Sequence, residues 1–360
     1  MQVPWSPVEF GKSEIDAAKE VLESTWVTQG KITERFENDI SDYVGSKHAI
    51  VVNSGTSALI SALLAHGIGP GDEVLVPSFT FIASINAILA VGAKPILVDS
   101  DPNTFNTTSD HMRDYLTKKT RAILPVDVAG LSIDIDDFKN FAEEENLIFI
   151  EDAAEALGSE YKGKRIGSFN HTSIFSFHMA KLATTIEGGC ILTNDDDLAE
   201  HCRSIRNHGM AGRYEHKFYG LNFRITDIQS AIGRVQISKI DKFIKHRNEM
   251  ANIYRKNLNN LVDFQYVPEY GTVHSYMLFG ILIDPSKRNS IISKLNEKGI
   301  GTRICWPHTI EQEYHSDLFD SVLPNAKLLS ERIINLPMGN AITVEQIEYV
   351  CSVLNEVLVL

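Results

Sequence analysis

The feature that most constrains this chain is a repeated alternation of short apolar runs with amphipathic stretches. Seven such runs stand out: His48–Asn53, Glu73–Pro77, Pro95–Asp99, Ala122–Val126, Leu147–Glu151, Ser173–Phe177 and Gly189–Thr193. Each is rich in Val, Ile, Leu or Phe, as strands buried on both faces of a largely parallel sheet must be. Between them lie segments of helical periodicity such as Thr56–His66 and Asp134–Glu145. This rhythm predicts an α/β fold, a mostly parallel sheet covered by helices. In such sheets ligands bind beyond the carboxyl ends of the strands, so the residues just after each run matter most.

Beyond Gly233 the rhythm changes. The pattern predicts a long amphipathic helix over Gln236–Leu258, a Pro/Gly-punctuated stretch at Val267–Thr272, a strand at Tyr276–Ile283 and a helix at Ser290–Lys298. A last helix is expected to start at Thr343, whose hydroxyl caps the backbone while Gln346 closes a capping box. These elements suit a smaller α+β unit. A chain of 360 residues exceeds the usual limit of one hydrophobic core. The expected division is a large domain over 1–235 and a small C-terminal domain over 236–360.

Composition narrows the partners. With 43% hydrophobic and 22% charged residues the chain has the profile of an ordinary globular protein. A net charge of −13 disfavours nucleic-acid and anionic-membrane partners, both of which need a basic face. The four cysteines, Cys190, Cys202, Cys305 and Cys351, show neither metal-ligand spacing nor a disulfide framework. The first residues carry no basic segment followed by an apolar run, and no stretch approaches membrane-spanning length. A cytoplasmic protein without a metal site or membrane partner is expected.

Three segments carry chemistry. Asn53–Ala58 (NSGTSA) runs from a strand into a helix, whose free N–H groups and dipole make a seat for phosphate. Gly55 allows close approach and Thr56 adds a hydroxyl donor. Glu151–Ala156 (EDAAEA) places carboxylates at a strand end, where Asp152 suits a partner for a protonated ring nitrogen. Ser173–Lys181 (SIFSFHMAK) sets a lysine between two buried strands, and a desolvated lysine readily forms a Schiff base. Each segment alone also has a plainer reading: a capped helix, acids favouring a helix dipole, a solvated loop lysine. Their order along the chain, each at a strand end, is what singles them out.

That order, together with Trp26–Gly30 (WVTQG), Pro77–Phe81 (PSFTF), Tyr161–Lys164 (YKGK), Ser176–Gly189, Leu221–Arg224 (LNFR), Thr226–Gln229 (TDIQ) and Asn335–Pro337 (NLP), resembles the DegT/DnrJ/EryC1/StrS family of sugar aminotransferases over nearly the whole chain. These are fold-type-I pyridoxal-phosphate enzymes. The resemblance implies that Lys181 holds pyridoxal 5'-phosphate as an internal aldimine and shuttles the substrate proton. It implies further that Asp152 pairs with the pyridine nitrogen, that Phe81 stacks on the ring, and that Gly55, Thr56 and Ser176 hold the phosphate. Asn222 would reach the phosphate across a homodimer interface, giving shared active sites. Lysine rather than histidine at position 181 favours amino transfer over dehydration.

The implied reaction moves an amino group from L-glutamate to a nucleotide-linked keto-sugar. Leu221–Arg224 and Thr226–Gln229 look most like the perosamine-synthase branch, hence a C-4 ketone. A 3-keto sugar, a cyclitol ketone and a non-catalytic regulatory role are the alternatives. Arg224 and His308 are the candidate substrate ligands, with His208, Arg213 and Arg303 as further cations for a diphosphate and Trp306 as a stacking surface. Three positions depart from the family pattern. Glu155 stands where Gln is usual beside the cofactor phenolic oxygen, so that either it or the oxygen must carry a proton. Val126–Gly130 (VDVAG) replaces a common VHLYG, and Ile186 replaces a frequent glycine before Glu187.

Overall fold

The computed structural model describes residues 1–316 and 322–359. All seven apolar runs form strands of one sheet: β1 (His48–Val52), β2 (Glu73–Pro77), β3 (Lys94–Val98), β4 (Thr120–Ile123), β5 (Ile148–Asp152), β6 (Thr172–Ser176) and β7 (Gly189–Thr193). Their spatial order is β1-β7-β6-β5-β4-β2-β3. Neighbours from β6 through to β3 are parallel, while β7 runs antiparallel to both β1 and β6. The sheet is therefore mostly parallel, as the buried, non-alternating runs require.

Period-two geometry explains why apolar residues occupy consecutive positions within these strands, since both faces of the sheet are buried. Ile50, Val52, Val74, Val76, Ile150 and Ile174 join one hydrophobic cluster, beneath the Gly55–Ala65 helix. Their odd-numbered neighbours Val51, Leu75, Phe149 and Phe175 join a second cluster on the opposite face. The same parity puts Asp152 on the face of Ile150, and Glu151 on that of Phe149. Glu151 is accordingly turned away, accepting from Ser173 Oγ (2.6 Å) and meeting His171 Nε2 (3.0 Å), whose ring stacks on Phe149.

The C-terminal elements build a third cluster around an antiparallel sheet of β8 (Asp263–Phe264), β9 (Phe279–Leu282) and β10 (Ile333–Leu336). Helices Ile240–Leu258, Pro285–Glu297 and Val344–Val359 accompany it. The N-terminus belongs with this region, because Val3 pairs with Ile300 and packs in the same cluster. The Thr343–Gln346 capping box is present, with both reciprocal bonds formed.

Three boundaries differ from expectation. The helix expected from Gln236 begins at Ile240, after a separate helix over Asp227–Ile237; Ser238 and Lys239 between them keep right-handed backbone angles, so the side-chain periodicity runs on across the break and hides it in the sequence. The strand expected from Tyr276 starts at Phe279, since Tyr276 is held at φ 45° and Met277 N–H bonds Ala129 O instead of a sheet neighbour. The helix expected from Ser290 begins at Pro285, where Asp284 caps the Ser286 amide and proline supplies a ready-made first turn.

Candidate active site

Lys181, Asp152, Glu155, Gly55, Thr56, Ser176 and Phe81 all line one cavity of about 280 Å³ at the carboxyl ends of β2, β5 and β6. The mostly parallel topology converges these distant segments on one place. Ser54 caps the Gly55–Ala65 helix through the Ser57 amide, so the helix opens directly on the cavity. The first amides of a helix have no partner within it, and its dipole is positive there. At Gly55 an added Cβ would sit 3.0 Å from Ser176 Cβ, and at Gly189 it would sit 2.3 Å from Ser54 O. Close backbone approach fixes Gly189, and at Gly55 the tight contact is with the Ser176 side chain.

Lys181 follows β6 on a loop held from within: its amide bonds His178 O, and Thr184 Oγ1 donates to Phe177 O. Its side chain is only 14% exposed, and its ammonium lies 3.1 Å from Glu155 Oε1. The other Glu155 oxygen accepts the Ala129 amide at 2.8 Å. Ala129 takes φ 62°, a left-handed value, within the segment VDVAG that departs from the common pattern. Next to it, Gly130 (φ 89°) is irreplaceable, because a Cβ there would meet Ser275 Oγ at 1.9 Å. The departure at Glu155 thus places a carboxylate, clamped by backbone, on the lysine nitrogen.

Asp152 is nearly fully buried and accepts hydrogen bonds from Ser84 Oγ (2.6 Å) and the Ala154 amide (3.2 Å). Burial pushes its carboxyl above the ordinary aspartate value, while these two donors and the Lys181 charge pull the other way. Behind it lies Asp127, fully buried, which burial and the nearby Glu151 carboxylate push well upward. Phe81 is 54% exposed at the cavity mouth, its ring tilted against Trp306 with centroids 5.1 Å apart.

Trp306, expected as a stacking surface, also lines the cavity, whereas Asn222, Arg224, His308, His208, Arg213 and Arg303 lie outside its lining. Asn222 is exposed and bridges Asn207, whose side chain accepts from Arg224 at 2.6 Å. His308 is buried, and burial holds its imidazole below the usual histidine value. Arg213 is exposed beside Tyr214. Of the candidate cations, Arg303 stands over the ring of Trp5, itself a cavity residue. Sequence reasoning missed Ser84, Thr80, Trp5 and Met277. The first two follow the end of β2, a position that flags a ligand site, whereas nothing local marks Trp5 or Met277.

The cavity therefore combines a helix start for phosphate, an apolar slot, a buried carboxylate and a secluded amine. Such an array suits an aromatic aldehyde with a phosphate arm. The family's sequence model, described as the DegT/DnrJ/EryC1/StrS aminotransferase family, matches residues 9–355. The chain belongs to this family. Among the family's relatives, it is 39% identical to the GDP-perosamine synthase of Escherichia coli O157:H7, over 98% of this chain and 97% of that one. It is similar to the crystal structure of S. venezuelae DesV in complex with a ketimine intermediate, with a TM-score of 0.96, 31% identity and coverage of 99% of this chain and 98% of that one. It is similar also to the PLP-form of a putative sugar aminotransferase, Spr1654 from Streptococcus pneumoniae, with a TM-score of 0.94, 27% identity and 99% coverage of both chains. As a member of the family this chain is an aminotransferase.

Proposed function

We propose that the chain uses pyridoxal 5'-phosphate to move an amino group from L-glutamate to the C-4 ketone of a nucleotide-linked sugar, as a perosamine-synthase-like enzyme. The observation that carries this reading is the Lys181 amine, secluded in an apolar cavity between a helix start and the buried Asp152 carboxylate. The bound cofactor would supply an electron sink for the carbanion formed at the substrate carbon. Gly55, Thr56 and Ser176 would hold its phosphate, and Asp152 would keep its ring nitrogen protonated. Phe81 would cover one ring face. Lys181 would carry the proton between substrate and cofactor carbons, with Glu155 as its counter-charge. The relative that makes GDP-perosamine favours the C-4 position over a C-3 ketone or a cyclitol.

The same reading includes a homodimer in which Asn222 completes the partner's phosphate site, with Arg224 and His308 serving the substrate. The exposure of Asn222 leaves it open to a second subunit. It also includes the division at 235/236, which the separate C-terminal cluster supports, and a cytoplasmic location, which suits four free, buried cysteines. Among the described residues no helix is long and apolar enough to cross a membrane, and no group of side chains suits a metal ion. The test is reconstitution with pyridoxal phosphate, borohydride reduction and peptide mapping, followed by an assay with GDP-perosamine and 2-oxoglutarate. Label on Lys181 and formation of glutamate are expected. Label on another residue overturns the cofactor assignment, and glutamate formed only from 3-amino sugars overturns the C-4 assignment.

A further inference from the structure

The turn after β2 contains a short hydroxyl chain. Ser84 Oγ lies 2.6 Å from Asp152 Oδ2 and 2.9 Å from Thr80 Oγ1. Ser84 and Thr80 are both buried. Each hydroxyl has one proton to give. Ser84 Oγ has two acceptors in reach, Asp152 Oδ2 at 2.6 Å and Phe81 O at 3.2 Å, and the shorter, charge-assisted contact to an ionised Asp152 takes its single proton. The contact between Thr80 and Ser84 is then a hydrogen bond only if Thr80 donates. The chain thus has one direction, from Thr80 to Ser84 to Asp152, and bonds aligned in this way polarise one another.

From this geometry we infer that Ser84 is a positioning residue, which with Thr80 behind it keeps Asp152 ionised and aimed into the cavity. The inference rests on the proposed role of Asp152 as partner of the cofactor ring nitrogen. A carboxylate taken out of water favours its neutral form, and a neutral acid cannot hold a ring nitrogen protonated. Burial acts on Asp152 in that direction, while the Ser84 hydroxyl opposes it. The same bonds brace the turn that carries Phe81, because the Ser84 amide donates to Phe81 O at 3.1 Å. One turn therefore sets both the charge beneath the cofactor ring and the aromatic face above the cavity mouth.

Cofactor binding and pH profiles test this in the full chain. Charged groups facing Asp152 from the other elements are Lys181, Glu155 and Asp127, and all are retained in every variant. In Ser84→Ala the dissociation constant of pyridoxal phosphate should rise roughly ten- to a hundredfold, the range for a bond to a charged group. The sign of the pH effect follows from the lost donor: Asp152 then stays protonated to higher pH. The pH transition of the bound cofactor's visible absorbance, and the acid limb of the activity profile, should both move upward. Thr80→Val, of equal size, should show a smaller shift in the same direction, and Ser84→Thr should restore the wild-type profile. In an Asp152→Asn background Ser84→Ala should add nothing.

Unchanged affinity and pH profile in Ser84→Ala, or an equal effect with Asn at position 152, would overturn the inference. Failure of the underlying reading looks different. In that case wild type itself takes up no pyridoxal phosphate, or Asp152→Asn matches wild type in both readouts, and the inference falls with it.

Discussion

The carboxyl ends of the seven-stranded sheet and the C-terminal three-stranded sheet use buried polarity in opposite ways. In the first, the acidic side chains of Asp127, Asp152 and Glu155 are drawn into the interior at a cost in desolvation, and two of them, Asp152 and Glu155, line the cavity that holds the lysine. In the second, an apolar cluster around Phe279, Ile281, Ile334 and Leu336 is joined by one large buried cation, Arg247. Its Nε donates to Asn340 Oδ1 (2.8 Å), and another nitrogen donates to the carbonyls of Tyr276 and Met277 (2.9 and 3.0 Å). Asn340 in turn donates to Leu182 O at 2.7 Å, next to the lysine. Burial lowers Arg247 to about 9, yet its partners are neutral carbonyls and an amide. The contrast separates polar groups buried for chemistry from a polar group buried as a tether.

Substitutions on the two sides should separate accordingly, rate from stability. Lys181→Ala has the largest expected effect. Turnover should vanish in an aminotransferase assay while the cofactor-free chain still folds, because Glu155, the buried partner of the lysine, keeps the Ala129 amide as a donor when the amine is removed. If activity survives, the chemistry side of the contrast is wrong. Arg247→Ala should lower stability by on the order of 3 kcal/mol, since its buried acceptors lose their donors. Urea denaturation measures this, and an unaltered midpoint would show that the tether is idle.

Glu155→Gln tests a departure within the site itself. A carboxylate beside the lysine nitrogen favours its protonated form, so removing that charge should lower the midpoint pH of the bound cofactor's absorbance by roughly one unit. Superimposable titrations of the two proteins would remove any electrostatic role for Glu155. The smallest effect is expected at Ile186, a half-exposed β-branched residue at φ 74°. Glycine removes the clash of Cβ in the left-handed region but loosens the unfolded chain. Ile186→Gly should therefore change stability by no more than about 1 kcal/mol, read from the same urea titration.

Much of the site was legible before the fold was known. Gly55, Asp152, Ser176 and Lys181 each follow or close an apolar run, and the strand parity alone separates Asp152 from Glu151. Ser84 was less legible. A serine at a helix start has many local uses, and its bond to Asp152 spans 68 positions of the chain. Trp5 carried no signal, because its place at the cavity depends on the N-terminal segment pairing with Ile300.

By itself the sequence determined the seven strands, the face each residue takes and the type of chemistry at their ends, since periodicity and strand termination are local properties. Tertiary structure alone decided which hydroxyl supports Asp152, how Glu155 is clamped between the Ala129 amide and Lys181, and how Arg247 reaches the lysine loop through Asn340. Those contacts join residues far apart in the chain. Hydrogen-bond geometry is set by where whole elements pack, and no local pattern of side chains encodes it.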